Sequence, residues 1–349
     1  MDEKVLKAVT VLTGVLTLVV CISLPFLPKL HEKEALAAEK EQEIGRADLV
    51  ASADPKDVVK KADDISAQIK IGLPQQLTEE QLTIKNDYLT QTVYIRFSGG
   101  VDDYFDQYGI QGNCDHIASL FYYRDGDEGV IAFGLDRVYE VEQKFELGNL
   151  YLDFVDPHTI YDKVIVIDAG HGDRAPGVVK LGIAEKDIDL NILLELRKLL
   201  EDCPDNIGVY YTRTSDINPT FEQRVQLANK ADADLFISIH NNSDVTGNFT
   251  EANGTHVMYS ESNDKELSGQ KLAQICLDNI TDTLGSKNRG VLAGDKIYIL
   301  RNSEVPAVLV EVGFMTNYEE LMQLKTKEYQ QKAAKGIYCA IMEAFEEGY

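Results

Sequence analysis

From Lys163 onward, short continuous apolar runs alternate with segments whose apolar residues recur at helical spacing, and this rhythm constrains the fold more than any other feature. Val164–Asp168 is a run of the kind expected for a strand buried on both faces. Ile188–Leu200 then carries apolar residues one helical face apart. The pattern continues with strand Val209–Arg213, helix Thr220–Lys230, strands Leu235–His240 and Thr255–Tyr259, and helix Leu267–Leu284. Strands Lys296–Leu300 and Ala307–Val312 and a last helix, Tyr329–Phe345, close it. Alternating strands and helices predict an α/β domain over residues 163–349, with a mainly parallel sheet covered by helices on both faces.

Ligands of such sheets bind beyond the carboxyl ends of the strands. Three metal-competent residues fall there: His171 in Ala169-Gly170-His171-Gly172, His240 before Asn241-Asn242, and Glu311 before Val312-Gly313-Phe314. A fourth, Glu185, opens the first helix. Two histidines and a carboxylate leave a tetrahedral position for water, the usual arrangement of a hydrolytic zinc site. A further carboxylate can take the proton from that water and pass it to a leaving amine. Each residue also has an ordinary reading. A lone histidine is commonly structural, and a Glu in a first helical turn commonly serves the helix dipole. Glu311 fits the ordinary reading least, because it interrupts the apolar run Val308–Phe314 and a buried carboxylate is costly unless paired or metal-bound. Spacing alone leaves both a metal hydrolase and a set of structural residues open.

The blocks Val166-Ile-Asp-Ala-Gly-His-Gly172, Gly182-Ile-Ala-Glu-Lys-Asp187, Thr212-Arg-Thr-Ser-Asp216, Leu235-Phe-Ile-Ser-Ile-His-Asn241, Asn288-Arg-Gly-Val291 and Pro306–Phe314 occur in that order. Together with Arg224 and Ala228-Asn229 they resemble the zinc-dependent N-acetylmuramoyl-L-alanine amidases of the amidase-3 family, over about residues 163–347. The resemblance implies a Zn2+ ion held by His171, Glu185 and His240, with Glu311 as the catalytic glutamate. It also implies peptidoglycan as the partner, and hydrolysis of the amide between N-acetylmuramic acid and the L-alanine of the stem peptide. Three positions depart from the common pattern: Ala169 and Asp173 in the first block, and Asn242 where a small residue is usual. The rival readings are a zinc peptidase or deacetylase acting on another wall amide, and a non-catalytic wall-binding regulator. The stretch Asn241–Gly254, rich in Asn, Gly and Thr with no apolar face, is expected to be a loop that leaves the site open.

Upstream, residues 86–157 alternate polar and apolar side chains between Asp-Gly and Gly-Asn turns, which predicts a small antiparallel β domain. It resembles in size and position the wall-targeting β domains of some of these enzymes. Its His116 and His158 are isolated and read as ordinary surface histidines. Residues 29–85 are rich in Glu, Lys and Ala and are expected to form a helical spacer. Ala8–Pro28 carries no charge and is long enough to span a bilayer as a helix. Residues 1–28 therefore read as an N-terminal anchor in the cytoplasmic membrane or, if cleaved near Ala35-Leu36-Ala37, a secretion signal. That places the chain as a single-pass protein of the cell membrane with its catalytic domain outside. A net charge of -24 argues against nucleic acid as a partner, through repulsion from the phosphodiester backbone. Five scattered cysteines without a CxxC pair make neither a disulfide framework nor a thiolate zinc site.

Overall fold

The computed structural model describes residues 48–62, 65–74, 77–113, 115–261 and 269–349. The amino-terminal part is a sandwich of two five-stranded sheets. One sheet runs in the order Asp48–Ala53, Ile117–Asp125, Glu128–Leu135, Thr92–Ser98, Leu82–Asp87. The other runs Val59–Lys60, Ile110–Gly112, Ile69–Gly72, Asn149–Val155, Glu140–Glu146. Period-two alternation builds the core. Val93, Ile95 and Phe97 from one sheet face Ile69, Ile71, Leu150 and Leu152 from the other, all essentially buried. Pairing is antiparallel except between Val59–Lys60 and Ile110–Gly112, which run parallel.

The helical spacer expected over residues 29–85 is not a spacer beyond Asp48. Among the described residues there, only Pro55–Val58 forms an α-helical turn, capped by the Asp54 side chain, and apart from a short 3-10 turn at Glu79–Gln81 the segment supplies strands to both sheets. Ile69 and Ile71 alternate with the less buried Lys70 and Gly72, and burying that alternating pair outweighs the weak helix preference of the flanking Lys and Ala residues. Residues 29–47 lie outside the described residues.

The carboxy-terminal domain has strands β1 (Lys163–Ala169), β2 (Ile207–Tyr211), β3 (Leu235–Asn242), β4 (Thr255–Tyr259), β5 (Asn288–Ala293) and β6 (Ala307–Phe314). Its helices are α1 (Glu185–Glu201), α2 (Phe221–Lys230), α3 (Gly269–Leu284), α4 (Tyr298–Asn302), α5 (Tyr318–Leu324) and α6 (Lys327–Glu346). The sheet order is β2-β1-β3-β6-β4-β5. The first four strands are parallel, whereas β4 runs antiparallel to β6 and β5 follows β4. The sheet is therefore mixed at one edge rather than parallel throughout. The strand expected at Lys296–Leu300 is instead a turn running into the short helix α4, since a five-residue apolar run fits either period, and the strand of this region, β5, lies before it.

Alternate residues of the buried strands serve two cores. Ile165, Ile237 and Val310 pack on α1, α3 and α6. Val164, Val166, Phe236 and Leu309 pack on α2 and α4, and on Val138 from the sandwich. Helices thus cover both faces, with the sandwich completing one of them.

The expected single pass through a membrane is corrected. No helix among the described residues is long and apolar enough to cross a bilayer. Even the longest of them, α6, is amphipathic, burying Ala333, Ile337, Ala340 and Ile341 while exposing Lys332, Lys335 and Glu343. The Ala8–Pro28 run on which that expectation rested lies outside the described residues.

Candidate metal centre

His171, Glu185 and His240 arrive at one point from three elements. β1 ends at Ala169, and the chain turns sharply through His171 at φ 60 and Gly172 at φ 131. A Cβ on Gly172 would lie 1.9 Å from the Ile217 carbonyl oxygen, so only glycine fits this turn. The left-handed backbone of His171 is strain of the kind found at functional sites, held here by its surroundings. Glu185 is the first residue of α1, and His240 stands near the end of β3.

Glu185 Oε1 lies 3.0 Å from His171 Nε2 and 3.1 Å from His240 Nδ1. The two rings meet edge to face with centroids 4.8 Å apart. Glu185 Oε2 accepts from the Val178 amide at 2.8 Å, which fixes the carboxylate plane, and Oε1 also accepts from the Asn241 amide at 3.1 Å. Burial opposes the charge on Glu185, but hydrogen bonds and charge from the two imidazoles prevail and hold its pKa well below the ordinary range. One ligand atom each from His171, Glu185, His240 and a fourth residue, Asp189, lie within 4.8 Å of one another. Two imidazole nitrogens and carboxylate oxygens at this separation form a donor set of the kind that holds a divalent transition metal.

Asp189 is one helical turn beyond Glu185 and fully buried. It accepts from Asn241 Nδ2 at 2.7 Å, while its Oδ2 has no partner among the described residues. Burial, then the charge of Glu185, raises its pKa well above the usual carboxylate range. Glu311 lies in register with His240 across the β3–β6 ladder. Its Oε2 is buried without a hydrogen-bond partner among the described residues, and burial followed by the charge of Glu185 pushes its pKa up to about 8.

Two buried arginines brace the turn that carries His171. Arg213 donates to the carbonyls of Ala169 at 2.9 Å and Gly170 at 2.6 Å. Arg224 donates to the carbonyls of Ala169 at 2.7 Å and His171 at 2.6 Å, and pairs with Asp168. Asp168 also accepts from Thr212 at 2.5 Å and Ser238 at 2.6 Å. Burial works against its charge, but Arg224 and these hydroxyls together lower its pKa. Breaking one partner of such a buried pair costs about 3–5 kcal/mol.

With this geometry, residues 165–343 match the family described as N-acetylmuramoyl-L-alanine amidase. The chain belongs to that family. It is 36% identical over 182 residues to the uncharacterized protein YqiI of Bacillus subtilis, spanning 52% of this chain and 84% of that relative. It is 30% identical over 199 residues to the germination-specific N-acetylmuramoyl-L-alanine amidase of the same organism, spanning 53% and 81%. Among solved structures, the N-acetylmuramoyl-L-alanine amidase of Clostridium difficile 630 is 29% identical, with a TM-score of 0.50 over 54% of this chain and 98% of the other. The carboxy-terminal domain is accordingly a peptidoglycan amidase domain.

Two segments adjoin residues of the centre along the chain: a hairpin, Val179–Lys180 paired with Ile183–Ala184, that runs directly into Glu185, and the loop after β3 that follows His240. That loop contains no helix. It is pinned at its sides: Asp244 N donates to Thr316 Oγ1 and Thr250 N to the Thr316 carbonyl, both at 2.8 Å. Lys180 donates to the Gly247 carbonyl and sits over the Phe249 ring, which meets Tyr318 edge-on. The sequence reading did not single out Asp189 or His256. Asp189 had a signal in its i, i+4 spacing from Glu185, whereas His256 had none before strand pairing was known. His116 and His158 lie apart from the centre, bonded to Tyr139 and to the Asp232 carbonyl.

Proposed function

We propose that this domain hydrolyses the amide between N-acetylmuramic acid and L-alanine with a zinc ion held by His171, Glu185 and His240, and with Glu311 as the general base. The observation that carries this reading is the convergence of His171 Nε2, His240 Nδ1 and Glu185 Oε1 within about one hydrogen-bond length, beside a carboxylate in register with His240. Zinc, when bound in such a set, lowers the pKa of water toward about 7 and polarises a carbonyl.

The chain's own residues divide the remaining work. The Val178 and Asn241 amides hold Glu185 so that Oε1 faces both imidazoles. Arg213 and Arg224 hold the backbone on either side of Gly170, where a Cβ would lie 2.3 Å from the His240 ring, so the histidines keep their mutual angle. Glu311 accepts the proton of the attacking water on its unpaired oxygen and returns it to the departing alanine nitrogen. Asp189, through Asn241, buttresses the ligand carboxylate from behind.

Metal analysis and mass analysis of digested peptidoglycan test the reading together. One zinc per chain is expected, with free stem peptides beginning at L-alanine as products. Shortened stems would mean a peptidase, and free acetate a deacetylase. Undiminished zinc in a His240→Ala protein would remove that residue from the ligand set.

A further inference from the structure

Strand register sets a row of polar residues across the carboxyl edge of the sheet. His240 of β3 faces Glu311 of β6, and Glu311 faces His256 of β4. His256 in turn faces the irregular stretch of β5 that contains Arg289, between the pairs Thr255–Asn288 and Val257–Val291. Cross-strand partners project from the same face of a sheet. The first two residues belong to the proposed reaction; His256 and Arg289 have no part in it.

His256 has a defined protonation state. Asn242 Oδ1 accepts from the Ser243 amide at 2.7 Å, which orients the Asn242 amide group so that Nδ2 donates to His256 Nε2 at 3.1 Å. An imidazole accepting at Nε2 is neutral and carries its proton on Nδ1. Burial, then the charge of Arg289, agrees by pushing its pKa down to about 4. In the strand register this neutral ring stands between Glu311 and the stretch of β5 that contains Arg289.

Arg289 is exposed, yet its head group is oriented. The guanidinium lies 4.8 Å from the Phe314 ring centroid and donates from one nitrogen to the Asn253 carbonyl at 3.1 Å. Among the described residues it makes no ion pair. Glu320, whose carboxylate the Arg289 charge favours, already accepts from the Gly254 amide at 2.8 Å and the Phe314 amide at 2.7 Å. A stacked guanidinium with donors to spare suits bidentate binding of a carboxylate. The stem peptide carries carboxylates, and a chain of net charge -24 repels them unless a cation stands near the cleaved bond.

We propose that Arg289 is a specificity-determining residue that binds a free carboxylate of the stem peptide beside Glu311. The proposal rests on the peptidoglycan amidase reading and names a feature of its substrate. Its test is binding, not turnover. The full zinc-loaded chain is titrated calorimetrically with a synthetic stem peptide beginning at L-alanine with a free carboxylate on its second residue, and with the same peptide bearing a primary amide there. Wild-type protein should bind the acid about tenfold more tightly than the amide. Arg289→Gln should lose that preference, and Arg289→Lys, which keeps the charge but not the fork, should retain part of it. Equal affinity of wild type for acid and amide, or an Arg289→Gln protein that still prefers the acid, would overturn the proposal. Digestion of peptidoglycan by the same wild-type preparation separates the two readings. Cleavage without discrimination sinks only the role of Arg289, and discrimination without cleavage sinks only the amidase chemistry.

Discussion

Two glutamates share the centre under opposite electrostatic pressure. Glu185, wedged between imidazoles, is held ionised, while Glu311, half-buried with its Oε2 shielded from solvent, is driven toward its protonated form by burial and by that negative charge. A ligand must be charged and a base must be able to change its charge, so the difference matches the two proposed roles. Glu311→Gln preserves shape but removes the proton acceptor. Turnover should fall by about 10²–10⁴-fold with zinc content intact, measured by release of stem peptides alongside metal analysis. Near-normal turnover would show that the base is another residue. His256 carries a separate prediction, on stability. Its folded pKa, about 4, lies below the ordinary 6.5, so protonation favours the unfolded chain. Its contribution is complete above pH ~6.5 and is lost as pH falls toward ~4. Urea unfolding between about pH 7.5 and pH 5 should cost wild type about 2 kcal/mol more than it costs His256→Gln. Equal slopes would mean that His256 is solvated in the folded state. At this scale the four residues of the proposed site were legible because His171, His240 and Glu311 lie at or near the carboxyl ends of strands and Glu185 opens a helix. Asp189 was legible only as the i, i+4 neighbour of Glu185, because an aspartate on a helix face looks the same in sequence whether it meets solvent or a buried Asn241.

The elements around the centre divide into those that set its geometry and those that adjoin it along the chain. The turn after β1 sets geometry: Gly172 adopts a backbone closed to other residues and packs against Ile217. Gly172→Ala should therefore cost about 1–3 kcal/mol or more and loosen zinc by moving His171, read as a lower unfolding midpoint and faster loss of metal to a chelator. Unaltered metal retention would mean that the turn relaxes without moving the ligand. The loop after β3 follows His240. Its contacts run to Thr316, Lys180 and Tyr318, and it contains no helix. The protein should accordingly cleave purified peptidoglycan without an added activator. Folded, zinc-loaded protein that stays inert until a second protein is supplied would refute the open centre. The loop was legible from its Asn, Gly and Thr content, and β1, β3 and β6 from continuous apolar runs. The reversal of β4 and the helix α4 were not, because apolar runs of five residues specify burial but neither direction nor period.

The sandwich and the catalytic domain are joined by packing as well as by chain. Val138 is buried in the core that lies beneath β1, β3 and α2, and its amide donates to the Lys230 carbonyl at 3.0 Å. Glu140 accepts from Tyr88 at 2.6 Å within the sandwich and from Tyr210 of β2 at 2.7 Å, using one carboxylate oxygen for each. The two tyrosine rings meet at 4.8 Å, and burial, followed by the hydrogen bond to Glu140, raises both phenol pKa values, so the hydroxyls remain donors across the physiological range. None of this was legible in sequence, where residues 86–157 and 163–349 separate cleanly by rhythm. Glu140 and Tyr210 are 70 positions apart, and neither belongs to a pattern that points at the other. The bridge predicts thermodynamic coupling between the two parts. Glu140→Ala leaves two partly buried hydroxyls without their acceptor and should cost about 1–3 kcal/mol, whereas Glu140→Gln, which keeps one acceptor oxygen, should cost less. If the parts unfold as one unit, the loss appears as a shift of a single urea transition followed both by near-ultraviolet signal and by release of zinc. If Glu140→Ala instead shifts the sandwich while zinc release stays at its wild-type midpoint, the junction is a contact without coupling, and the catalytic domain draws no stability from the sandwich.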